Sequence, residues 1–446
     1  MTRAQSQSQP RFGALRVTGA EFGPTNEVQP VRDGAGARTV TDPGGGTSFS
    51  SSSTLQTAIN ASGTGELFVC SVSNPTWDST VTPGTHDPII LFPGAPGATV
   101  VDGGGADRIA FDSSVGHKMT IKGGTVQNFG TTTHGTGIVL RGDGSLVEDV
   151  VVSDCFFTGI SDQASNDVTI SHCTMHSNGA SGLGGASDNA VVEYCEIYGN
   201  NTNLNNPGGT PGGCALKILF SGNGHFHHNY VHDNIGFGAW WDTNCWNWLI
   251  EENVCEENYC SGMFTEANYG MIIRRNYIFN NGVNQSIGTQ PPTHENCVNV
   301  RISDNSSDRT NPDGNVTPVE FYRNIVDHTD FSAAVLGDLI LLWDHTDSAS
   351  RHTANIDVYE NQFWLRDSTS QRIRAKDQDV IPPGGPFTTD YQIWDLDCHY
   401  WDNEYHVTDM AESYWMWDTG TGVGVAKTWA EWQAIHTGDD IDRIQI

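Results

Sequence analysis

The stretch HFHHNYVH, residues 225–232, has seven counterparts along the chain: VVVSDCFF (150–157), VTISHCTM (168–175), VVEYCEIY (191–198), LIEENVCE (249–256), IIRRNYIF (272–279), EFYRNIVD (320–327) and DVYENQFW (357–364). Each is a short β-prone run with one Cys or Asn at a set place: Cys155, Cys173, Cys195, Asn229, Asn253, Asn276, Asn324 and Asn361. The first steps between these places are 18, 22, 34, 24 and 23 residues, and the next, 48, spans two repeats. A period near 23 residues with occasional insertions marks a solenoid whose loops vary on one face.

Two positions after each Cys or Asn stands Phe157, Met175, Ile197, Val231, Cys255, Ile278, Val326 or Phe363. Residues two apart share a strand face, so these side chains are expected to stack into a core. An Asn in such a column can hydrogen-bond the coil above and the coil below at a bend, and Cys fits the same slot as a small, often buried residue. Cys155, Cys173 and Cys195 are therefore read as ladder thiols rather than disulfide partners. The chain contains no C-x-x-C pair, which speaks against a zinc site.

Between these runs lie second strands that open with glycine: TGIVLR, TGISDQ, SGLGGA, GCALK, FGAWWD and SGMFTE. Their glycines, Gly137, Gly159, Gly182, Gly213, Gly238 and Gly262, recur in phase with the ladder and are expected to permit a tight bend between two faces. Two strands per coil and no amphipathic helical period before the last thirty residues or so point to an all-β chain.

From about Thr47 to Met410 the sequence resembles the right-handed parallel β-helix superfamily of pectate-lyase-like proteins. The entry STLQTAINASGTGELFV is similar to the amphipathic cap and first strand with which many of these begin, and TWAEWQAIHTGDD to their short helical closing segment. The expected architecture is an all-β, right-handed parallel β-helix solenoid with an N-terminal extended arm (residues 1–45), the helix proper (46–410) and a small Trp-rich C-terminal cap (411–446). The superfold carries lyases, hydrolases, epimerases and non-enzymatic spikes, so it does not name an activity. The phrase FGALRVTGAEFGPTN, near the start, resembles the openings of some actinobacterial-phage tail and fibre proteins.

Fifty-three acidic residues face 22 basic ones, a formal charge of -31. Such a surface repels phosphate backbones, so nucleic acid is not an expected partner, and polyanionic glycans are disfavoured unless cations screen the contact. No apolar run of about 20 residues occurs, so no membrane span is expected. The first residues, MTRAQSQSQPRFG, form no secretory signal, which suggests either a trimmed start or release by a route such as phage lysis.

Candidate chemistry lies on the glycine strands. Counting from each glycine, the fourth residue should point outward, giving Arg141, Gln163, Ala186, Lys217, Asp242 and Glu266; the second gives Val139, Ser161, Gly184, Ala215, Trp240 and Phe264. Lys217, Asp242 and Glu266 would then stack on consecutive coils as candidate catalytic groups. Carboxylates about 5 Å apart suit a retaining glycosidase, one as nucleophile and one as acid/base, with crowding raising one pKa. Trp240 and Phe264 would offer a sugar-stacking platform, and Arg141 and Gln163 further substrate contacts. The bland alternative is a surface charge ladder, with the two rings in a satellite core under the 200–213 loop. The order GxxxD then GxxxE resembles a pattern in many β-helix proteins of unassigned activity.

Other candidates are fewer. His225, His227 and His228 form a cluster, but strand alternation should turn His228 away, so no metal is expected there. Asp344 follows Trp343 as Asp242 follows Trp241 and would extend the same row. Asp395 and Asp397 share a strand face and could meet a cation. The resemblance allows calcium, which the superfamily's lyases use, although no compact acidic loop calls for it; otherwise no cofactor is expected. Three functions stay open: a virion-associated tail spike, fibre or surface decoration that binds host glycan, a polysaccharide hydrolase or lyase, and a structural spacer. Expected partners are a polysaccharide, other virion proteins through residues 1–45, and two further copies in a homotrimer, which the resemblance to β-helix spikes implies. The expected location is extracellular or in the virion.

Overall fold

The computed structural model describes residues 48–95, 97–106, 108–113, 116–131, 135–163, 165–204, 213–282, 298–303, 317–327, 338–344, 356–365, 373–377, 398–407, 415–418, 425–427 and 442–445. The arm at 1–45, the segment TWAEWQAIHTGDD, and Asp395 and Asp397 lie outside these residues.

The chain winds into a parallel β-helix. Each coil contributes one short strand to each of three sheets, and each sheet has twelve strands among the described residues. One coil shows the pattern: Thr158–Asp162 in the second sheet, Thr169–Ser171 in the first and Thr174–His176 in the third. All pairings within the sheets are parallel except the last, where Val425–Lys427 runs antiparallel to Trp415–Asp418 and closes the second sheet. Asp442–Gln445 continues the third sheet. At the other end, helix α1 (Ser52–Asn60) lies over the first coil. The Ser51 hydroxyl accepts the Thr54 N–H as its N-cap, and Leu55 and Ile59, one turn apart, are buried. A solenoid end without such cover would leave core and strand edges open.

Corners are made by residues with left-handed backbone. His172, Tyr194, His228, Glu252, Arg275, Arg323, Glu360 and Asp402 all have φ between 50° and 57° and join the first sheet to the third. For residues other than Gly this costs roughly 1–2 kcal/mol each. A hydrogen-bonded ladder directly inside the corner offsets it. Asn253 shows the unit: its Oδ1 accepts the backbone N–H and the Nδ2 of Asn229 at 2.9 and 3.0 Å, and its Nδ2 donates to Phe226 O, Glu251 O and Asn276 Oδ1, each at 2.9 Å. The column runs Cys195, Asn229, Asn253, Asn276, Asn324, Asn361, Asn403. Cys195 Sγ faces the backbone oxygens of Ile170 and Glu193, the relation that Nδ2 has in the Asn units, so the thiol occupies the same slot. Cys70, Cys155, Cys173, Cys195, Cys214, Cys245, Cys255 and Cys260 are free and buried.

A second ladder stands at the next corner: Cys155, Asn178, Asn200, Asn234, Asn258, Asn281, Asn299. This corrects the reading of Cys155. It belongs to the second column, and the short first step of 18 residues was a jump between columns. Phe157 accordingly does not enter the core and is 47% exposed, whereas Met175 and Ile197 do. The second ladder also explains the glycines. A Cβ at Gly159 would sit 2.9 Å from Asn178 Nδ2, and one at Gly262 would sit 2.5 Å from Asn281 Nδ2. The residue must be small because an asparagine amide lies against it, and the expected role in bending is corrected.

Candidate functional site

Strand register decides which candidates meet. Asp242 and Glu266 are partners on adjacent strands, as are Trp240 and Phe264. Lys217 departs from expectation: it pairs with Trp240, and Leu219 stands opposite Asp242. The cause is the insertion before Cys214–Leu219. Gly213 lies at the level of Gly236, where a Cβ would meet Gly213 O at 1.9 Å, and Ala215 takes the column of Gly182 and Gly238. The lysine nevertheless reaches diagonally to Asp242, with Nζ 2.8 Å from Oδ2.

The register shift builds a different site from the one expected. Lys217 Nζ lies 3.3 Å from the centre of the Trp240 ring. Trp240 stacks on Phe264 with centroids 5.2 Å apart and planes 18° from parallel. Arg301 then lies over Phe264 at 4.2 Å. Cation, indole, phenyl and guanidinium thus follow one another on four neighbouring strands, outside the three-sheet core. Trp240 and Phe264 are 5% and 2% exposed and share a cluster with Cys214, Phe237 and Cys260. The expectation of an open stacking platform is therefore corrected: burial and the cations take up the ring faces. Trp240 Nε1 is buried without a hydrogen-bond partner among the described residues.

Arg141 and Gln163 make a second charged group, four coils from Asp242 in the same outward row, or roughly 19 Å at the inter-strand spacing. Arg141 Nη1 contacts both Asp112 carboxylate oxygens at 2.9 and 3.1 Å, and its Nε donates to Gln163 Oε1 at 3.1 Å. Burial pushes the Asp112 carboxyl up from its ordinary value, and the Arg141 charge opposes that shift. Between the two groups the row carries Ala186 and Leu219, and the neighbouring outward row carries Ser161 and Gly184 ahead of Lys217, all four half-buried. Ser161, Gly184 and Ala186 make a low floor with a charged group at each end, and Leu219 stands at its far end beside Asp242.

The histidine reading is corrected in geometry. His228 has φ 54°, which breaks strand alternation and brings its Nδ1 to 2.8 Å from His227 Nδ1. The His225 and His227 rings lie 3.9 Å apart. Each histidine faces a carboxylate: Glu251, Glu193 and Glu252 respectively. No group of three or more His, Cys, Asp or Glu among the described residues is arranged to hold a metal ion. Asp344 is off the outward row by one residue, because Trp343 pairs with Ser303, the partner of Glu266. Sequence reasoning missed Asp112 and Arg301. The first stands in a strand without a glycine opening, and the second follows the insertion after Gly282.

The chain matches the family model described as "Right handed beta helix region" over residues 109–311. Among solved structures it is similar to the A-module of the mannuronan C-5 epimerase AlgE4 of Azotobacter vinelandii, at 16% identity and TM-score 0.56, covering 81% of this chain and 93% of that one. It is also similar to the tailspike protein of E. coli bacteriophage HK620, solved with a pentasaccharide, at 11% identity and TM-score 0.46, covering 80% and 62%. No curated protein sequence matches significantly. The fold is a parallel β-helix, and the family match lies within it. No helix among the described residues is long and apolar enough to cross a membrane.

Proposed function

We propose that this chain binds a glycan along the outer face of its second sheet. The observation that carries the reading is the floor of Ser161, Gly184 and Ala186 running between Asp112–Arg141–Gln163 and Lys217–Asp242–Glu266. An extended sugar chain needs a long shallow bed with fixed hydrogen-bonding groups. The buried stack under Lys217 fixes its ammonium, and the strand register holds Asp242 and Glu266 about 4.8 Å apart at the backbone. The ion pair, the cation over Trp240 and the neighbouring carboxylate give donors and acceptors for sugar hydroxyls. Stacking on Trp240 has no part in this version of the site.

The setting we propose is a virion, as tail spike, fibre or surface decoration, which the likeness of FGALRVTGAEFGPTN to phage tail proteins supports. Assembly through residues 1–45, a homotrimer and an extracellular or virion location belong to the same proposal. A glycan array probed with the wild-type protein tests it, alongside sedimentation to count the subunits. Binding that falls with Arg141→Ala and with Asp242→Asn, at unchanged melting temperature, is the expected result. If no glycan is retained, the spacer reading stands instead.

A further inference from the structure

The corner that follows the second-sheet strands carries one residue that the coil does not explain. Cys214–Leu219, Phe237–Asp242 and Met263–Glu266 are followed by Phe220, Thr243 and Ala267, with φ of 50°, 38° and 58°. The Phe220 N–H donates to Thr243 O at 3.0 Å and the Thr243 N–H to Glu266 O at 2.9 Å, so neighbouring coils turn this corner in the same way. Thr243 and Ala267 show that the turn needs no ring. Left-handed backbone is least tolerant of a bulky side chain. Phe220 is also 58% exposed, more than any other large hydrophobic side chain among the described residues. A strained backbone and an exposed phenyl both disfavour the folded state, and neither serves the coil.

The position adjoins the charged group. Leu219, the residue before Phe220, is the register partner of Asp242, and Asp242 is that of Glu266. One residue along the chain and one inter-strand step put the Phe220 and Asp242 backbones about 6 Å apart. Lys217, which is paired with Asp242, lies on the strand that ends at Leu219. The other exposed ring, Phe157, precedes Thr158 at the opposite end of a second-sheet strand, and its φ is not left-handed.

We propose that Phe220 is the stacking platform of the site on the second sheet, and that the ligand presents to it a neutral pyranose with an unbroken C–H face. This rests on the glycan reading above and names what that site selects. The face of a phenyl ring is electron-rich and attracts the polarised C–H groups of a pyranose, while apolar area on both leaves water. Hydroxyls at the edge of the same sugar donate to Asp242 and Glu266 and accept from the Lys217 ammonium. A uronic acid in that place would set a third carboxylate beside Asp242 and Glu266, so the neutral sugar is favoured. Trp240 cannot take this part, because Lys217 and Phe264 occupy its faces.

A platform of this kind is a burden on the free protein and an asset only in the complex. Stability and binding should therefore not fall together, as they would for a packing residue. The full-length wild type is passed over an array of neutral and uronate glycans, and the affinity for a retained neutral glycan is then titrated for each variant. Phe220→Gly, which suits left-handed backbone, should bind roughly fivefold more weakly and melt no lower than wild type. Phe220→Tyr keeps the ring and should bind within about twofold of wild type. Equal binding by wild type and Phe220→Gly overturns the platform. So does a lowered melting temperature in Phe220→Gly, which would make the ring a packing residue. Retention of uronate glycans alone overturns the sugar class. If Asp242→Asn weakens binding and Phe220→Gly does not, the outer-face reading stands without this platform. If no glycan is retained, both fail.

Discussion

Two polar systems are buried in this molecule, and they are buried differently. Inside the corners, every asparagine of the first ladder from Asn229 to Asn361 passes hydrogen bonds to the coil on either side, so each amide is satisfied by the backbone it supports. On the outer face of the second sheet, Lys217 and Arg301 are 7% and 6% exposed over two aromatic rings, and Trp240 Nε1 has no partner among the described residues. The ladder repeats from coil to coil between Cys195 and Asn403 and serves the fold. Among the described residues the stack occurs once, on four strands, and costs desolvation of two cations with no ladder to maintain. A repeat explained by the coil is structure; a single costly departure from it is where function is to be sought.

The largest effect should come from breaking the ladder. Asn253→Leu leaves the Asn229 N–H and Nδ2 and the Phe226 and Glu251 carbonyls without this partner, each unpaired group costing about 1–3 kcal/mol. Urea denaturation should show a loss of several kcal/mol, although the terms are not additive. An unchanged midpoint would remove the distinction between the two systems.

A smaller effect should come from Asp162, a carboxyl that belongs to neither system. It points into the core, accepts the Ala186 N–H at 2.5 Å, and depends on Gly185, where a Cβ would meet Asp162 Oδ1 at 2.5 Å. Burial pushes it up to about 7. The folded state therefore holds this proton more tightly than the unfolded chain. Its contribution to stability is fully present below about pH 4 and is lost as pH rises through about 7. Thermal melts from pH 4 to 8 should show that decline, and Asp162→Asn should flatten it.

Lys217→Met should cost about 1–2 kcal/mol, by removing a cation–π contact and leaving a partly exposed Asp242 without its ion pair. Its main readout is binding, which should fall by more than stability does. The smallest effect concerns the thiols. Burial pushes Cys155 up to about 12 and holds Cys173 well above the ordinary range, so neither is a thiolate at neutral pH. Labelling of native protein by a thiol reagent should be slow and should speed up only on unfolding.

The contrast also explains what the sequence allowed to be read. Asn229 to Asn361 recur at one phase and need one residue type, so the ladder, the solenoid and the inward columns were legible from spacing alone. The register partnership of Asp242 with Glu266 and of Trp240 with Phe264 was legible for the same reason: no insertion separates those strands. Lys217 was misplaced because its position depends on how a preceding loop re-enters the sheet, and alternation carries no count across an insertion. The burial of Trp240 was legible only as the alternative of a satellite core, because a strand pattern says that a residue points away from the core and says nothing of what packs on it there. Cys155 and Phe157 were misread because two corners of the same coil use the same chemistry.

The claim that the outer face is a binding site, and the ladder only its support, meets its most direct test in one paired measurement. Glycan binding and melting temperature would be recorded together for Asp242→Asn. The account predicts that binding falls at least tenfold while the melting temperature stays within a degree or two of wild type, because the side chain faces outward and the ladder is untouched. Binding left unchanged, with the melting temperature lowered, would mean that Asp242 and its lysine are part of the scaffold and that the outer row is not where this molecule meets its ligand.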